Sequence, residues 1–348
     1  MRSVSFKPSP SGVNAEGINN AGFCVARGAI LTGSCLTGRS FNLSDLFIQS
    51  ISIARKNNLY VVEDAAQAID GYYNGSALGS IGDLKTVYVG LPGDPGGDEE
   101  PEMPIPKNLN YDAWLGSTPN VYYTEKRVHP QNDYSRPGWL RMEQFGAGMI
   151  TGWGAHHVDI AHWGMDTEYT GPIEISGRAD FPKSGLWNVH GLFQTEGVYA
   201  NGVKMIVSNE LPNGVKFEGT EGWIFVTRGD YRASASDPIP TGKNKVLPLT
   251  ASNNKIISSV IGENEINLYK STDQHGNWLE SIVSRKQPIS PVEIGHRSCS
   301  TCLLHHVAMK LKRKIYWDPM NERFINDDEA NAMLNRPHRF PYEVKGLD

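Results

Sequence analysis

The chain has 348 residues, enough for two domains of ordinary size. A formal net charge of -5, with no local run of Lys or Arg, argues against a nucleic-acid partner, and no stretch is long and apolar enough to span a membrane as a helix. Four cysteines give no disulfide framework, and no apolar leader segment is seen, so a cytoplasmic location is expected; 8 Trp and 14 Tyr supply flat, hydrogen-bonding side chains suited to sugar-like ligands.

Residues 1–28 are rich in Gly, Asn, Ser and Pro without a clear period and read as loop or disordered chain. Residues 29–32 (AILT) read as a short strand. Residues 42–57 read as a helix capped by Asn42 or Ser44, with Leu46, Phe47, Ile51 and Ala54 on its apolar face, and 58–63 as a buried strand. That β-α-β order predicts parallel pairing. The texture changes at 84–91 (LKTVYVGL). Loops rich in Pro and Gly follow, in which the acidic run Asp98–Glu100 reads as solvated surface. Short strands are expected at 173–179, 196–200, 203–209, 215–219 and 222–227, with Asn213-Gly214 as a hairpin turn, which predicts an antiparallel or mixed sheet. Residues 298–313 read as a helix with Leu303, Val307 and Leu311 on one stripe. Asp327 or Asp328 caps a last helix running through Leu334.

The stretch EQFGAGMITGWGAHHVDIAHW at 143–163 carries the strongest chemical signal. Gly146, Gly148, Gly152 and Gly154 allow a backbone to run close to a ligand. They lead into a helical pattern that sets His156 beside Asp159 and Asp159 beside His162. An imidazole titrating near neutral pH can take or give a hydroxyl proton, with a carboxylate one turn away to orient it. The competing reading is a buried histidine bonded to backbone, with Asp159 structural. A metal site is not expected, because the three positions do not share one helix face. Just upstream, Arg127, His129, Tyr134, Arg136 and Trp139 combine forked cations with aromatic faces, a set suited to hydroxyl- or carboxylate-bearing ligands. Cys299-Ser-Thr-Cys302 is a CxxC with no second matching pair, so zinc is not expected and small buried side chains are. No GxGxxG dinucleotide fingerprint occurs in the first 84 residues.

From Lys85 onward the chain resembles the C-terminal substrate domain of the Gfo/Idh/MocA oxidoreductases. The segments that carry this are KTVYVGLPGDP, LNYDAWLGSTP, EKRVHPQNDYSRPGW, GAGMITGWGAHHVDIAHW, EGTEGWIFVTRG and KLKRKIYWDPMNERFINDDEANAMLNRPHR. The resemblance implies an α+β domain with a large open mixed or antiparallel sheet and helices, bearing both a sugar site and a surface for a homo-oligomer. It implies His156 as the proton-transfer residue, with Arg127, His129, Tyr134, Arg136, Trp139, His157 and Asp159 around the substrate and Trp153 near the nicotinamide of NAD(P). Two departures stand out. Gly152 occupies a place where many members carry Asp, and the family's N-terminal Rossmann domain, with its Gly-rich loop and catalytic Glu-Lys-Pro, has no counterpart ahead of residue 85.

Residues 29–84 resemble a piece of the DegT/DnrJ sugar aminotransferases, through LTGRSFNLSDL and ARKNNLYVVEDAAQAIDGYYNGSALGSIGDL. That resemblance implies Asp64 on the pyridine nitrogen of PLP and Gln67 beside the ring, but the Schiff-base lysine segment does not follow. The expected organisation is 1–28, a 29–84 β-α-β fragment and an 85–348 substrate and oligomerisation domain. The expected function is NAD(P)-linked hydride transfer on a sugar or sugar derivative, impaired by the missing cofactor domain. The alternatives are a non-catalytic sugar-binding or assembly module, a relative of NAD-dependent glycosidases, and a PLP-dependent aminotransferase.

Overall fold

A computed structural model describes residues 81–128, 138–227, 247, 249–258, 271, 273–336 and 338–342, and the backbone of 23–26 and 29–32. Strands β1 (Phe23–Ala26) and β2 (Ala29–Thr32) pair antiparallel, with Ala26 opposite Ala29. The strand at 29–32 is the expected one; β1 corrects the reading of 1–28 as loop throughout. Its sequence Phe-Cys-Val-Ala is an apolar run with strand propensity, and two residues separate it from β2, the spacing of a tight hairpin. The helix expected at 42–57, the strand at 58–63 and their parallel pairing lie outside the described residues.

The elements that follow are β3 (Leu84–Gly90), α1 (Tyr111–Leu115), α2 (Gly154–Met165), β4 (Glu174–Ala179), β5 (Phe193–Val198), β6 (Lys204–Ser208) and β7 (Gly214–Gly219). After them come β8 (Trp223–Val226), β9 (Leu249–Ala251), α3 (Asn254–Ile257), α4 (Gln274–Ser284), α5 (Val292–Leu311), β10 (Ile315–Asp318), β11 (Arg323–Phe324) and α6 (Asp328–Ala332). The sheet has nine strands in the order β11-β10-β4-β5-β6-β3-β7-β8-β9. Each neighbouring pair is antiparallel except β3 with β6. This is the open, mixed α+β sheet the sequence leads one to expect. The hairpin across Asn213-Gly214 is not formed as expected, because β3 lies between β6 and β7 and takes both as partners. Gly90 makes this insertion possible: a Cβ there would stand 1.8 Å from the Pro212 carbonyl oxygen, so the chain between β6 and β7 passes hard against the end of β3.

Strand alternation divides the sheet into two faces. Val87, Val89, Met205, Val207, Val215 and Phe217 form a buried core with Val158, Ala161 and Met165 of α2 and with Cys302 and Met309 of α5. Helix α2 turns its buried residues inward at 154, 157, 158, 161, 162 and 165, the spacing of one helical face. It stops at Asp166, which takes the left-handed conformation (φ 53°) and returns its N–H to the carbonyls of His162 and Trp163. The two helices cross closely at Gly154, where a Cβ would lie 3.1 Å from the Cys302 Sγ. Of the stripe expected on the long helix, Val307 is buried and Leu311 packs against the same core cluster, while Leu303 is exposed; Ser298, Thr301, Cys302 and His305 also face inward. Small and polar residues occupy the inward line because α2 and the glycine-bearing strand β5 press close against it. On the far face Tyr88, Lys216, Trp223 and Phe225 are half-buried, with the Lys216 ammonium 5.3 Å and 5.5 Å from the rings of Tyr88 and Trp223.

Candidate active site

The glycine-rich turn is held from below by one carboxylate. Asp94 Oδ2 accepts the Met149 N–H at 2.6 Å, and its side chain is almost wholly buried beside Arg141, whose Nε is 3.9 Å from Oδ1. The Arg141 guanidinium lies 4.4 Å from the Trp187 ring, and its carbonyl accepts the N–H groups of Asn188 and Val189. Gly148 has φ 77°, and a Cβ there would stand 2.4 Å from Asp94 Oδ2. Gly146, Gly152 and Gly154 are also close to protein, where a Cβ would stand 3.0, 3.0 and 3.1 Å from the nearest atom.

The turn aims the start of α2, where neighbouring histidines diverge. His156 is exposed on the first turn, with its ring edge-on to Trp153 at 5.8 Å. His157 is 1% exposed, and its Nδ1 is 2.9 Å from the Gly90 carbonyl oxygen. Asp159 is half-buried and accepts a hydrogen bond from the Ser298 hydroxyl at 2.6 Å. Burial pushes its carboxyl up, opposed by the Ser298 hydrogen bond and by the charge of His156. His162 is fully buried with Nε2 2.7 Å from the Tyr199 hydroxyl, and burial pushes it down to about 3. Three of the four groups are therefore tied into the interior, and His156 alone of them faces solvent.

The other expected site residues are dispersed in role. Arg127 is 5% exposed; its Nε donates to the Tyr122 carbonyl at 3.1 Å, its Nη1 lies 3.4 Å from the Met142 sulfur, and its guanidinium sits over the Tyr122 ring. Trp139 is 37% exposed on a 3₁₀ turn at Gly138–Arg141. Trp153 is buried, packed edge-on against both His156 and His157. His129, Tyr134, Arg136, Asp64 and Gln67 lie outside the described residues. Cys302 is buried and its thiol is pushed far up by burial, while Cys299 is exposed. The acidic run is not simply solvated surface: Glu100 pairs with Lys126, and its carbonyl accepts the Tyr122 hydroxyl at 2.8 Å.

Sequence reasoning missed the Asp94–Arg141–Trp187 support and the Glu143–His306–Lys310 cluster, in which Glu143 meets His306 at 3.1 Å and Lys310 at 2.9 Å. These partners are far apart in the chain, and only the repeated glycines of GDPGGD hinted that tight packing surrounds Asp94.

A dinucleotide is usually cradled by free N–H groups where a helix opens after a strand. At the start of α2 the N–H groups of Ala155, His156 and His157 already return to the carbonyls of Thr151 and Trp153. At the start of α5 those of Ile294 and Gly295 return to Pro291. Neither of these two helix starts offers the free N–H groups of a dinucleotide cradle.

Residues 95–344 match the Gfo/Idh/MocA model described as "Oxidoreductase family, C-terminal alpha/beta domain". The chain belongs to the Gfo/Idh/MocA oxidoreductase family. Residues 29–88 match the model of the DegT/DnrJ/EryC1/StrS aminotransferase family. No curated protein matches the chain. Among solved structures it is similar to an NAD-binding protein from Listeria innocua, at 13% identity and TM-score 0.38, covering 78% of this chain and 68% of that one. A putative oxidoreductase from Thermotoga maritima is similar at 12% identity and TM-score 0.41, covering 80% and 69%. The WlbA dehydrogenase from Bordetella pertussis, solved with NADH and UDP-GlcNAcA, is similar at 9% identity and TM-score 0.41, covering 78% and 67%.

Proposed function

We propose that the chain supplies the substrate side of a sugar oxidoreductase site, with His156 exchanging a proton with a substrate hydroxyl. The observation that carries this is the placing of His156: an exposed imidazole on the first turn of a helix whose other polar groups are anchored inside. Family membership supports the reaction class, and NAD(P) is the hydride acceptor that class implies. The occupied N–H groups at the starts of α2 and α5, and the match of residues 29–88 to an aminotransferase model, support the further proposal that hydride transfer by this chain alone is impaired. Trp139, half-exposed just ahead of the glycine turn, is the aromatic platform offered to the sugar. The half-buried aromatic side chains Tyr88, Trp223 and Phe225 on the far face of the sheet favour a second reading, a non-catalytic sugar-binding or assembly module that associates through that face.

A paired titration tests both readings. Full-length protein is titrated with NAD(P)H by fluorescence, and with a panel of sugars and nucleotide sugars by calorimetry, in wild type and His156→Ala. Sugar binding weakened by the substitution, without saturable micromolar NAD(P)H binding, is the expected result. Saturable NAD(P)H binding overturns the impaired-cofactor claim. Sugar affinity unchanged by His156→Ala removes His156 from the site.

A further inference from the structure

Ser298, in the second turn of α5, is 3% exposed, and its hydroxyl donates to Asp159 Oδ1 on α2 at 2.6 Å. Within a helix a serine usually faces water or returns its hydroxyl to a carbonyl of its own preceding turn. This one is buried and gives its proton to a neighbouring helix. Alanine would fill the place almost as well and is the better helix former. What serine adds is one O–H, and that O–H goes to a carboxylate. A bond of this length from hydroxyl to carboxylate belongs to the charge-assisted class.

Asp159 follows His156 by three residues on α2, which sets the two on one helix face with Cβ atoms about 5–6 Å apart. His156 is exposed, and Asp159 is half-buried. The described groups packed around Asp159 are apolar, neutral or already paired. Strands β3 and β7 bring Val87, Val89, Val215 and Phe217 to the core beneath α2. On α5, burial pushes the Cys302 thiol far up and raises Cys299 in the same sense, so both are neutral at ordinary pH. His162 and His305 are held neutral by burial, at about 3 and about 4. Arg297, beside Ser298, is committed to Glu293 and Glu322.

We propose that Ser298 is a positioning residue for His156: its hydroxyl keeps the Asp159 carboxylate ionised and fixed one turn from the imidazole, so that a negative charge stands beside the ring when it takes a proton. This role presupposes that His156 is the proton-exchanging group. Burial pushes the Asp159 carboxyl up, and the Ser298 hydrogen bond and the charge of His156 both oppose that rise. By reciprocity, an ionised Asp159 favours a protonated His156.

The titration of His156, followed by NMR in full-length protein carrying isotope-labelled histidine, tests this; its resonance is the one missing from His156→Ala. A unit charge about 6 Å away in a water-like medium moves a titration by about half a pH unit. Asp159→Asn is expected to lower the His156 midpoint by about that much. Ser298→Ala is expected to lower it in the same direction, because Asp159 without its donor is partly protonated where His156 titrates. In the Asp159→Asn background, Ser298→Ala is expected to change nothing further. A midpoint unmoved or raised by Ser298→Ala overturns the proposal. So does an equal fall with and without the Asp159 carboxylate, which marks a merely structural role. The sugar titration of His156→Ala separates the two readings. Unchanged affinity sinks the proton-exchange reading while the measured coupling stands; weakened affinity with an unmoved midpoint keeps that reading and removes Ser298 from it.

Discussion

His157 Nδ1 meets the Gly90 carbonyl at 2.9 Å, joining the first turn of α2 to the last residue of the central strand β3. A carbonyl only accepts, so Nδ1 carries the proton. One residue earlier, His156 projects to solvent. Adjacent histidines on one turn thus hold opposite positions, and their substitutions separate. His157→Ala leaves a buried carbonyl unsatisfied and opens a cavity, together costing about 2–4 kcal/mol. His156→Ala changes stability by no more than about 0.5 kcal/mol. Urea unfolding of the two variants reads the difference, and equal midpoints would show that the bond to Gly90 contributes nothing.

Acid should destabilise the fold through its buried imidazoles. Burial holds His162 down at about 3, and His190 and His305 at about 4, against an ordinary value of 6.5. The unfolded chain therefore takes up protons that the folded one refuses. Stability from these groups is fully present above 6.5 and drains away as pH falls towards 4, and for His162 towards 3. Glu143, lowered from 4.5 to about 2 by its hydrogen bonds to His306 and Lys310, adds a loss that begins only below 4.5. Asp159, pushed up by burial, works weakly in the opposite sense. Urea midpoints measured from about pH 7 down to about pH 4.5 should fall steadily; a flat profile over that range would mean these rings are not held neutral by the fold.

The turn at Gly148 gives a sharper mutational contrast. Alanine there must adopt φ 77° and place a methyl 2.4 Å from Asp94 Oδ2 and 2.9 Å from Val189 Cγ2. Left-handed strain alone costs about 1–3 kcal/mol for a residue other than glycine, so Gly148→Ala should lose about 2 kcal/mol or more once the displaced carboxylate is included. Gly96 lies in the same 92–98 loop region as Asp94, and a Cβ there meets nothing within 4 Å. Gly96→Ala should stay within about 0.5 kcal/mol of wild type. A Gly148→Ala protein as stable as Gly96→Ala would deny Asp94 its supporting part.

Much of this was legible in local pattern. The strands at 174–179, 204–208, 214–219 and 223–226 fall inside or beside the alternating runs that predict them, and Asp327 caps the last short helix through its side chain. The burial of His157 and the exposure of His156 were not legible, because both satisfy a helical spacing and only the position of Gly90 decides between them. The same limit explains the hairpin at Asn213-Gly214: turn chemistry marks a reversal but does not say that a third strand, more than a hundred residues earlier, enters between the two runs. Buried ion pairs such as Asp94 with Arg141 leave no periodic trace at all.

The junction near residue 84 carries the last prediction. The aminotransferase match runs to residue 88 and the oxidoreductase match begins at 95, yet β3 at Leu84–Gly90 is hydrogen-bonded on both sides within the nine-stranded sheet. The attachment starts earlier still: the Ile81 carbonyl accepts the Glu221 N–H at 2.8 Å, and that of Asp83 accepts Thr220 at 3.0 Å. A Cβ on Gly219 would stand 2.2 Å from the Ile81 oxygen, so this contact is tight. We therefore propose that the C-terminal unit includes Ile81, Asp83 and all of β3, whichever family the sequence of β3 descends from. Limited proteolysis should yield a stable fragment whose N-terminus lies at or before Ile81, and a chain starting at residue 80 should unfold cooperatively on its own. A chain starting at residue 91 lacks the strand that bridges β6 and β7, and should be insoluble or unfolded. A folded product from that shorter chain, or a protease-resistant fragment beginning beyond residue 90, would show that β3 is dispensable and that the unit begins where the oxidoreductase match does.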